Sequence, residues 1–310
     1  MFVQSSQPSN EVLRFPPHLW FGDAAWSNIK GLWANGFGRS LFNSAFIAIV
    51  SSVLSVFVAS LAGYAFAKFR FPGRTLIFGL FLLVLMVPYH VTAVPLFKMM
   101  ADLRIILRVL IYIAFAGICA AGIVFMVRKL PRNPALLVGG GAAVGLLLVG
   151  LLLLNPALNT YLLSLSLPSW LSTYQAVILP ALANPFGIFL MRQSMQAIPD
   201  DLLDAGRIDG AGEWRIFWTV VLPTMRPTLA ALGIYSFMFQ WNNFFWPLIV
   251  MRETAMETLP VRINALVGLS IIDYGQLMMG TALTTLPIML IFLAFQRQFI
   301  SGAMAGAVKG

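Results

Sequence analysis

The sequence predicts an all-α protein, a polytopic bundle of about seven transmembrane helices. Three observations support this fold class. First, 59% of the 310 residues are hydrophobic and only 10% are charged, whereas soluble domains carry about 25% charged residues. Second, the apolar residues form long continuous stretches, without the alternation of a membrane barrel strand. Third, the charges collect between these stretches. The composition therefore excludes a disordered chain, a nucleic-acid-binding protein and an ordinary soluble enzyme.

A helix needs about 20 predominantly apolar residues to cross a bilayer. The stretches of this kind lie roughly at 41–67, 75–97, 105–127, 135–154, 172–196, 227–250 and 277–300. The clearest runs from Leu136 to Leu154 and contains no charged residue. We expect helices here because lipid offers the backbone no hydrogen-bond partner outside its own segment.

The positive charges predict the orientation, since cytoplasmic loops carry an excess of Lys and Arg. Most of them fall in alternate loops, for example Lys68, Arg70 and Arg74 after the first stretch and Arg207 and Arg215 between the fifth and sixth. An odd number of spans then places the N-terminus outside and the C-terminus in the cytoplasm. We expect a multi-pass protein of the cell (inner) membrane.

An external N-terminal segment, residues 1–38, raises the question of how it crosses the membrane. Its first 35 residues contain no signal-peptide pattern of a charged stretch followed by an apolar one. Either the first span acts as a reversed anchor, or a preceding span is absent from this version of the chain. The segment around Phe15-Pro16-Pro17 resembles an external loop, which favours the missing span.

The loop 198–226 differs from the other loops because it is rich in acidic residues. These are Asp200, Asp201, Asp204, Asp209 and Glu213. The pattern predicts a short helix with acids at its positive N-terminus, a turn at Gly210 and a second helix that Pro223 ends. Such a polar element cannot lie in lipid, so we expect it to project into the cytoplasm and meet a partner.

This loop resembles the EAA motif of permease subunits in binding-protein-dependent ABC importers, Glu-Ala-Ala-x3-Gly-x9-Ile-x-Leu-Pro. The spacing matches throughout. Asp replaces the Glu and keeps its charge, and Gly206 replaces an Ala, which weakens the helix by about 1 kcal/mol. Val220 stands at the isoleucine position. The ATPase-coupling residues that the resemblance implies are Asp204, Ala205, Gly206, Asp209, Gly210, Leu222 and Pro223.

Segments 39–98 and 172–310 resemble the smaller permease of maltose-type carbohydrate importers. The stretches that carry the resemblance are 61–67, 237–248 and 306–310. It implies a second permease subunit, two ATP-binding subunits, an external solute-binding protein, a sugar-like small molecule as cargo and membrane lipid around the bundle. The 198–226 loop and the tail would meet the ATP-binding subunits. Residues 104–170 do not match this family, and we interpret them as an inserted helix pair that acts as a scaffold or contacts another subunit.

The chain itself is not expected to be an enzyme. It contains no Gly-x4-Gly-Lys-Ser/Thr phosphate loop, and its two histidines, His18 and His90, are far apart in sequence. We therefore expect no catalytic, cofactor or metal site, with ATP and Mg²⁺ bound on partner subunits. An ion-coupled secondary transporter is the alternative, but it normally places ionisable residues at mid-membrane, and no span centre carries one.

Polar and aromatic residues inside the spans are candidates for the solute path, because intramembrane polar groups usually face the bundle interior. The candidates are Asn184, Gln240, Trp241, Asn242, Asn243 and Trp246, with Pro88, Tyr89 and His90 at a break in the second span. For Trp241 an interfacial aromatic belt is the competing interpretation.

Overall fold

A computed structural model describes residues 1–111, 113–114, 160–161, 164–268 and 272–307, with side chains described up to Ala294. Within these ranges every regular element is a helix, so the all-α prediction is confirmed there. Most of the predicted span 105–127, all of 135–154 and most of the inserted pair lie outside the described residues.

The chain forms two compact units, one made of Met1–Val91 and Ser172–Gly310 and the other of Thr92–Leu171. In the described part of the second unit, Asp102 accepts hydrogen bonds from the backbone N–H and the Nε of Arg104, at 3.0 and 2.7 Å. The backbone N–H of Trp170 donates to the Met100 carbonyl at 2.9 Å, which ties the two ends of this unit together.

Most of the described helices belong to the first unit. Their bounds are α1 Ser9–Val12, α2 Ala25–Ala34, α3 Phe37–Lys68, α4 Arg74–Val84, α5 Tyr89–Ala101, which continues into the second unit, α6 Tyr174–Leu182, α7 Pro185–Met195, α8 Asp200–Ile208, α9 Glu213–Ile216, α10 Leu222–Thr224, α11 Arg226–Trp241, α12 Phe245–Val250, α13 Leu259–Val267 and α14 Tyr274–Ala307. Short 3-10 turns lie at Gln4–Ser6 and Thr254–Met256, and a π turn at Phe217–Val221.

In the described residues, three segments are long and apolar enough to cross a membrane. They are Phe37–Lys68, Tyr174–Met195 and Tyr274–Ala294. They agree with the predicted stretches 41–67, 172–196 and 277–300. The α4 and α5 helices qualify only when taken together as one broken span.

Two of the predicted continuous stretches are broken in the structure. The stretch 75–97 breaks before Tyr89, where Pro88 disfavours a helical conformation in the preceding residue. The stretch 227–250 is divided into α11 and α12, because Asn242 ends the first helix and turns its side chain back to the Met238 carbonyl at 2.9 Å.

Helix α3 forms the centre of the first unit, where it packs against α7 and α11. One face of it carries small buried residues, namely Ser51, Ser52, Ser55, Ala59, Ser60 and Gly63. At Gly63 the approach of α7 is so close that a Cβ atom would lie 2.6 Å from the Cβ of Met191. Small residues let helices approach closely in membranes, and this face has that composition.

Two clusters of buried side chains lie at different places along α3. One surrounds Tyr64 and Phe66 near the end of the helix and includes Met191 and Phe217. The other surrounds Phe37 at its beginning and includes Trp241. The first cluster supports the acidic loop that the sequence singled out.

Candidate coupling elbow and solute path

The acidic loop forms a helical elbow, which we define as residues 199–224. Helix α8 begins after Pro199 with Asp200 and Asp201 in its first turn. The chain then reverses at Gly210, which has φ +77°, the left-handed conformation predicted for it. Gly212 precedes α9 with φ −69°. Two short helices therefore meet at a sharp corner.

The prediction that Pro223 ends the second helix is wrong, because helical geometry continues through Thr224. The π turn Phe217–Val221 lies between α9 and α10. A proline ring normally clashes with the carbonyl four residues earlier, here that of Thr219. That carbonyl belongs to the π turn, whose wider geometry accommodates the ring.

Arg207 connects the two arms of the elbow. It donates to Asp204 on its own helix at 2.6 Å and to Glu213 on the next helix at 2.7 Å. The hydroxyl of Tyr64 on α3 also donates to Glu213, at 2.8 Å. The hydrogen bond from Arg207 lowers the pKa of Glu213, and the bond from Tyr64 adds to the effect. Glu213 is therefore held charged between the elbow and α3.

Lys68 fixes the beginning of the elbow to the end of α3. Its ammonium group lies 2.7 Å from the Asp200 carboxylate and also donates to the carbonyl of Ile198. The lysine side chain is only 6% exposed, whereas that of Asp200 is 77% exposed. The hydrogen bond from Lys68 lowers the pKa of Asp200.

The inner face of the elbow is apolar and buried. Leu203, Ile216 and Phe217 are at most 1% exposed, and they belong to the cluster around Tyr64. Burial of side chains of this size stabilises the docked elbow by roughly 1.5–3 kcal/mol each. The elbow is therefore anchored by its core contacts, and the ion pairs set its angle.

The outer face of the elbow, defined by its exposed side chains, is also apolar, although the Trp218 ring stacks on Phe57 of α3 with 6.1 Å between the ring centroids. Leu202, Ile208, Trp214 and Trp218 are 46%, 86%, 58% and 47% exposed. Large exposed apolar side chains on a short polar element are candidates for contact with another molecule. The elbow thus has one face that packs on the helical core and one face that is exposed and could contact a partner protein.

The predicted coupling residues are distributed over this element. Asp204, Ala205, Asp209, Gly210 and Pro223 are exposed. Leu222 is half-buried, and Gly206 faces Ile216, where a Cβ would approach Cγ1 to 3.3 Å. The motif did not identify the groups that brace the elbow, namely Lys68, Tyr64, Arg207 and Glu213. For Arg207 and Glu213 the sequence offered one signal, the alternation of charge along Asp204, Arg207 and Glu213.

A cavity of about 710 Å³ lies beside the break between α11 and α12. It is lined by Tyr89, Ile234, Tyr235, Met238, Phe239, Asn242, Asn243, Phe244 and Phe245. Aromatic faces and two side-chain amides therefore surround the same space. This combination suits an uncharged polyhydroxylated solute, whose apolar ring faces stack on aromatics while its hydroxyls bond to amides.

Among the predicted path residues, Tyr89, Asn242 and Asn243 line this cavity. Gln240 is 8% exposed, donates to Ser51 Oγ at 3.3 Å and accepts from Asn243 at 3.3 Å. The side chain of Asn184 accepts from the backbone N–H of Gly187 at 3.0 Å and caps α7.

Trp241 fits neither of the interpretations that the sequence allowed. Its side chain is 2% exposed, and the indole N–H donates to the carbonyl of Thr284 at 3.1 Å. It is thus a buried packing residue between α11 and α14, away from both the cavity and an aromatic belt. In the described residues, no three His, Cys or carboxylate side chains form a group that could hold a metal ion.

Comparison with known proteins places this chain in a family. Residues 53–303 match the family described as "Binding-protein-dependent transport system inner membrane component". An alginate-importing bacterial ABC transporter of known crystal structure has a similar fold, with a TM-score of 0.66 and 18% sequence identity over 96% of this chain and 87% of that chain.

Curated relatives align with nearly the whole sequence. The arabinooligosaccharides transport system permease protein AraQ of Halalkalibacterium halodurans is 31% identical, over 100% of this chain and 89% of its own length. The lactose transport system permease protein LacG of Rhizobium radiobacter is 32% identical, with the same coverage. The sn-glycerol-3-phosphate transport system permease protein UgpE of Yersinia enterocolitica is 29% identical over 97% and 87%.

These similarities do not favour the ion-coupled secondary transporter that the sequence left as the alternative. The chain belongs to the binding-protein-dependent transport system inner membrane components and is a transmembrane permease subunit of an ABC importer.

Proposed function

We propose that this permease conducts a sugar or related solute and receives the force for transport through its elbow. The observation that carries the proposal is the two-faced elbow, with its inner side fixed by buried side chains and two ion pairs and its outer side apolar and exposed. A partner that moves such an element must also move the helices behind it. ATP hydrolysis would take place on two separate subunits docked against the outer face.

The remaining parts of the importer follow from this assignment. A second permease subunit would complete the path, and an external solute-binding protein would deliver the solute. The full chain would cross the inner membrane about seven times, with the N-terminus outside and the elbow and C-terminus in the cytoplasm. The cavity beside Asn242 and Asn243 would form part of the path. The relatives that transport arabinooligosaccharides and lactose support a carbohydrate as cargo.

Retention of the ATP-binding subunits tests the docking surface. Ile208 is 86% exposed on the elbow, and Leu19 is 78% exposed in the N-terminal segment, which makes the two leucine-sized side chains a matched pair. We expect Ile208→Asp to abolish co-purification of the ATP-binding subunits and Leu19→Asp to leave it intact. Equal retention by both variants would contradict docking at the elbow.

Labelling of single cysteines tests the orientation. Cys119 is the only cysteine in the sequence, so its replacement by Ala gives a background without thiols. We expect Leu19→Cys to react with a membrane-impermeant maleimide in intact spheroplasts, and Ile208→Cys to react only after lysis. The reverse pattern would invert the proposed topology.

A further inference from the structure

A group of arginines surrounds the beginning of α4, on the same side of the first unit as the elbow's attachment to Lys68. Arg70 and Arg74 line a small cavity of about 300 Å³. Phe71, Gly73, Thr75 and Leu76 complete its lining. Arg192 on α7 lies against the same helix, with its guanidinium over the ring of Phe78. Three like charges are thus gathered at one place.

The molecule supplies these arginines with little negative charge. In the part of the chain that the structure describes, Arg70, Arg74 and Arg192 form no ion pair. Arg192 places its guanidinium 4.0 Å from the ring centroid of Phe78, and Arg74 donates to the carbonyl of Phe69. The nearby acid, Asp200, is hydrogen-bonded by Lys68, and the charge of Arg70 acts on it more weakly. Positive charge that lacks an internal counterion favours an anion from outside.

An apolar surface begins directly beside the charged cavity. Leu76, Leu80 and Leu83 follow one another along one side of α4 and are 70%, 54% and 58% exposed. Helix α4 belongs to a segment apolar enough to form half of a broken membrane span. These leucines form an exposed apolar strip along α4, and the arginines lie where this apolar helix begins.

We propose that this site binds one anionic phospholipid. The guanidinium groups of Arg70 and Arg74 would hold the phosphodiester, and the backbone amides of Thr75 and Leu76 in the first turn of α4 would add hydrogen bonds. The acyl chains would lie along Leu76, Leu80 and Leu83. A free phosphate would make no use of this apolar surface, so the occupant is a lipid. The inference needs only the chain's place in a membrane and is independent of how the ATP-binding subunits dock.

Lipid that stays bound during purification provides the test. The assembled importer is extracted from membranes containing phosphatidylglycerol and phosphatidylcholine, and retained lipid is measured by mass spectrometry. Each arginine near an anionic lipid surface contributes about 1 kcal/mol, so Arg70→Gln with Arg74→Gln is expected to lower phosphatidylglycerol retention roughly tenfold or more. Phosphatidylcholine should not change. Arg14→Gln with Lys30→Gln removes two exposed positive charges elsewhere and serves as the control.

Two further measurements keep the result decisive if the double Gln variant assembles poorly. Arg70→Lys with Arg74→Lys keeps both charges and should retain phosphatidylglycerol at near the unmodified level. In the unmodified importer, a photoreactive phosphatidylglycerol should cross-link within residues 69–84, and inorganic phosphate should not compete. Cross-links confined to other regions, or unchanged retention by the Gln variant, would each overturn the proposal.

Discussion

Arg207 and Glu213 form a 2.7 Å ion pair across the Gly210 corner, and the same carboxylate accepts a hydrogen bond from Tyr64 on α3. One carboxylate therefore joins the two arms of the elbow to α3, the helix at the centre of the first unit. Because the pair spans the corner, its geometry sets the angle between α8 and α9. Force applied to α8 can reach α3 through these contacts without bending the corner.

Removal of Arg207 is expected to weaken this connection without unfolding the elbow. The side chain is 39% exposed, so each of its pairs contributes only about 0–1 kcal/mol to stability. Leu203 and Ile216 remain buried and keep the elbow docked. We expect Arg207→Ala to assemble normally and to hydrolyse ATP with reduced solute uptake per ATP in proteoliposomes. Arg226→Ala, an exposed arginine outside these pairs, is the control. An unchanged uptake-to-ATP ratio for Arg207→Ala would argue against the brace.

Gly210 and Gly212 provide a test of the corner's backbone. A Cβ would meet nothing within 4 Å at either position, so steric clash is absent from both. They differ in backbone conformation, since φ is +77° at Gly210 and −69° at Gly212. A side chain in the left-handed conformation costs about 1–2 kcal/mol.

We therefore expect Gly210→Ala to lower solute-stimulated ATPase activity and uptake, while Gly212→Ala stays close to the unmodified protein. Gly210→Asn should fall between them, because asparagine tolerates this conformation better than alanine does. Larger side chains at Gly210 should uncouple hydrolysis from uptake while the chain still inserts. Normal uptake by a variant with such a side chain would show that the backbone conformation at Gly210 is not needed for coupling.

The sequence predicted those features of the fold that depend on neighbouring residues. The continuous apolar stretch 41–67 agrees with α3, and the Gly210 turn has the expected positive φ. Both follow from local composition. The proline that was expected to end a helix did not do so, because the π turn before Pro223 was not apparent from the spacing.

The contacts that hold the elbow were not predictable, because they join residues far apart in sequence. Lys68 and Asp200 are separated by 132 positions, and Tyr64 and Glu213 by 149. No periodicity connects such pairs. For the same reason the polar residues of the sixth stretch could not be sorted into Asn243, which lines the cavity, and Gln240, which bonds to Ser51.

The pH dependence of stability should report the charge on Glu213. Its pKa is lowered in the folded chain, chiefly by the hydrogen bond from Arg207. A lowered folded-state pKa contributes stability that is fully present above the unfolded value, about 4.3, and is lost as the pH falls through the folded value. Glu213→Gln removes this contribution at every pH.

We therefore expect the unmodified complex to melt at a higher temperature than the Glu213→Gln complex at about pH 7. The difference should begin to shrink as the pH falls below about 4 and disappear below the folded-state pKa of Glu213. It should be small, since exposed pairs contribute at most about 1 kcal/mol and Glu213 is 40% exposed. A difference that grows on acidification would have the wrong sign for this ion pair.

Asn184 and Asn243 should respond differently to loss of their amides. Asn184 caps α7, so Asn184→Ala is expected to cost about 1 kcal/mol of stability with little change in the KM for uptake. Asn184→Ser keeps the cap and should restore stability. Asn243 lines the aromatic cavity, so Asn243→Ala should raise the KM roughly 2- to 12-fold, the equivalent of one hydrogen bond. A raised KM for Asn184→Ser would instead place Asn184 on the path.

Close packing of α3 against α7 leads to a prediction about two helical glycines. At Gly63 a Cβ would lie 2.6 Å from Met191 Cβ and 2.9 Å from the backbone nitrogen of Arg192, so the helices would have to separate. Overpacking of this kind costs typically about 1–3 kcal/mol. At Gly79 in α4 a Cβ meets nothing within 4 Å, and alanine favours a helix over glycine by about 1 kcal/mol.

Gly63→Ala should therefore lower the melting temperature of the purified importer, and Gly79→Ala should leave it unchanged or raise it. Gly63 is one residue from Tyr64, which donates to Glu213, so a shift of α3 against α7 should also disturb the elbow. We expect Gly63→Ala to lose uptake more strongly than its stability alone predicts, when both variants are compared well below their melting temperatures. Equal melting temperatures and equal uptake for the two variants would mean that the close contact at Gly63 is absent in the membrane.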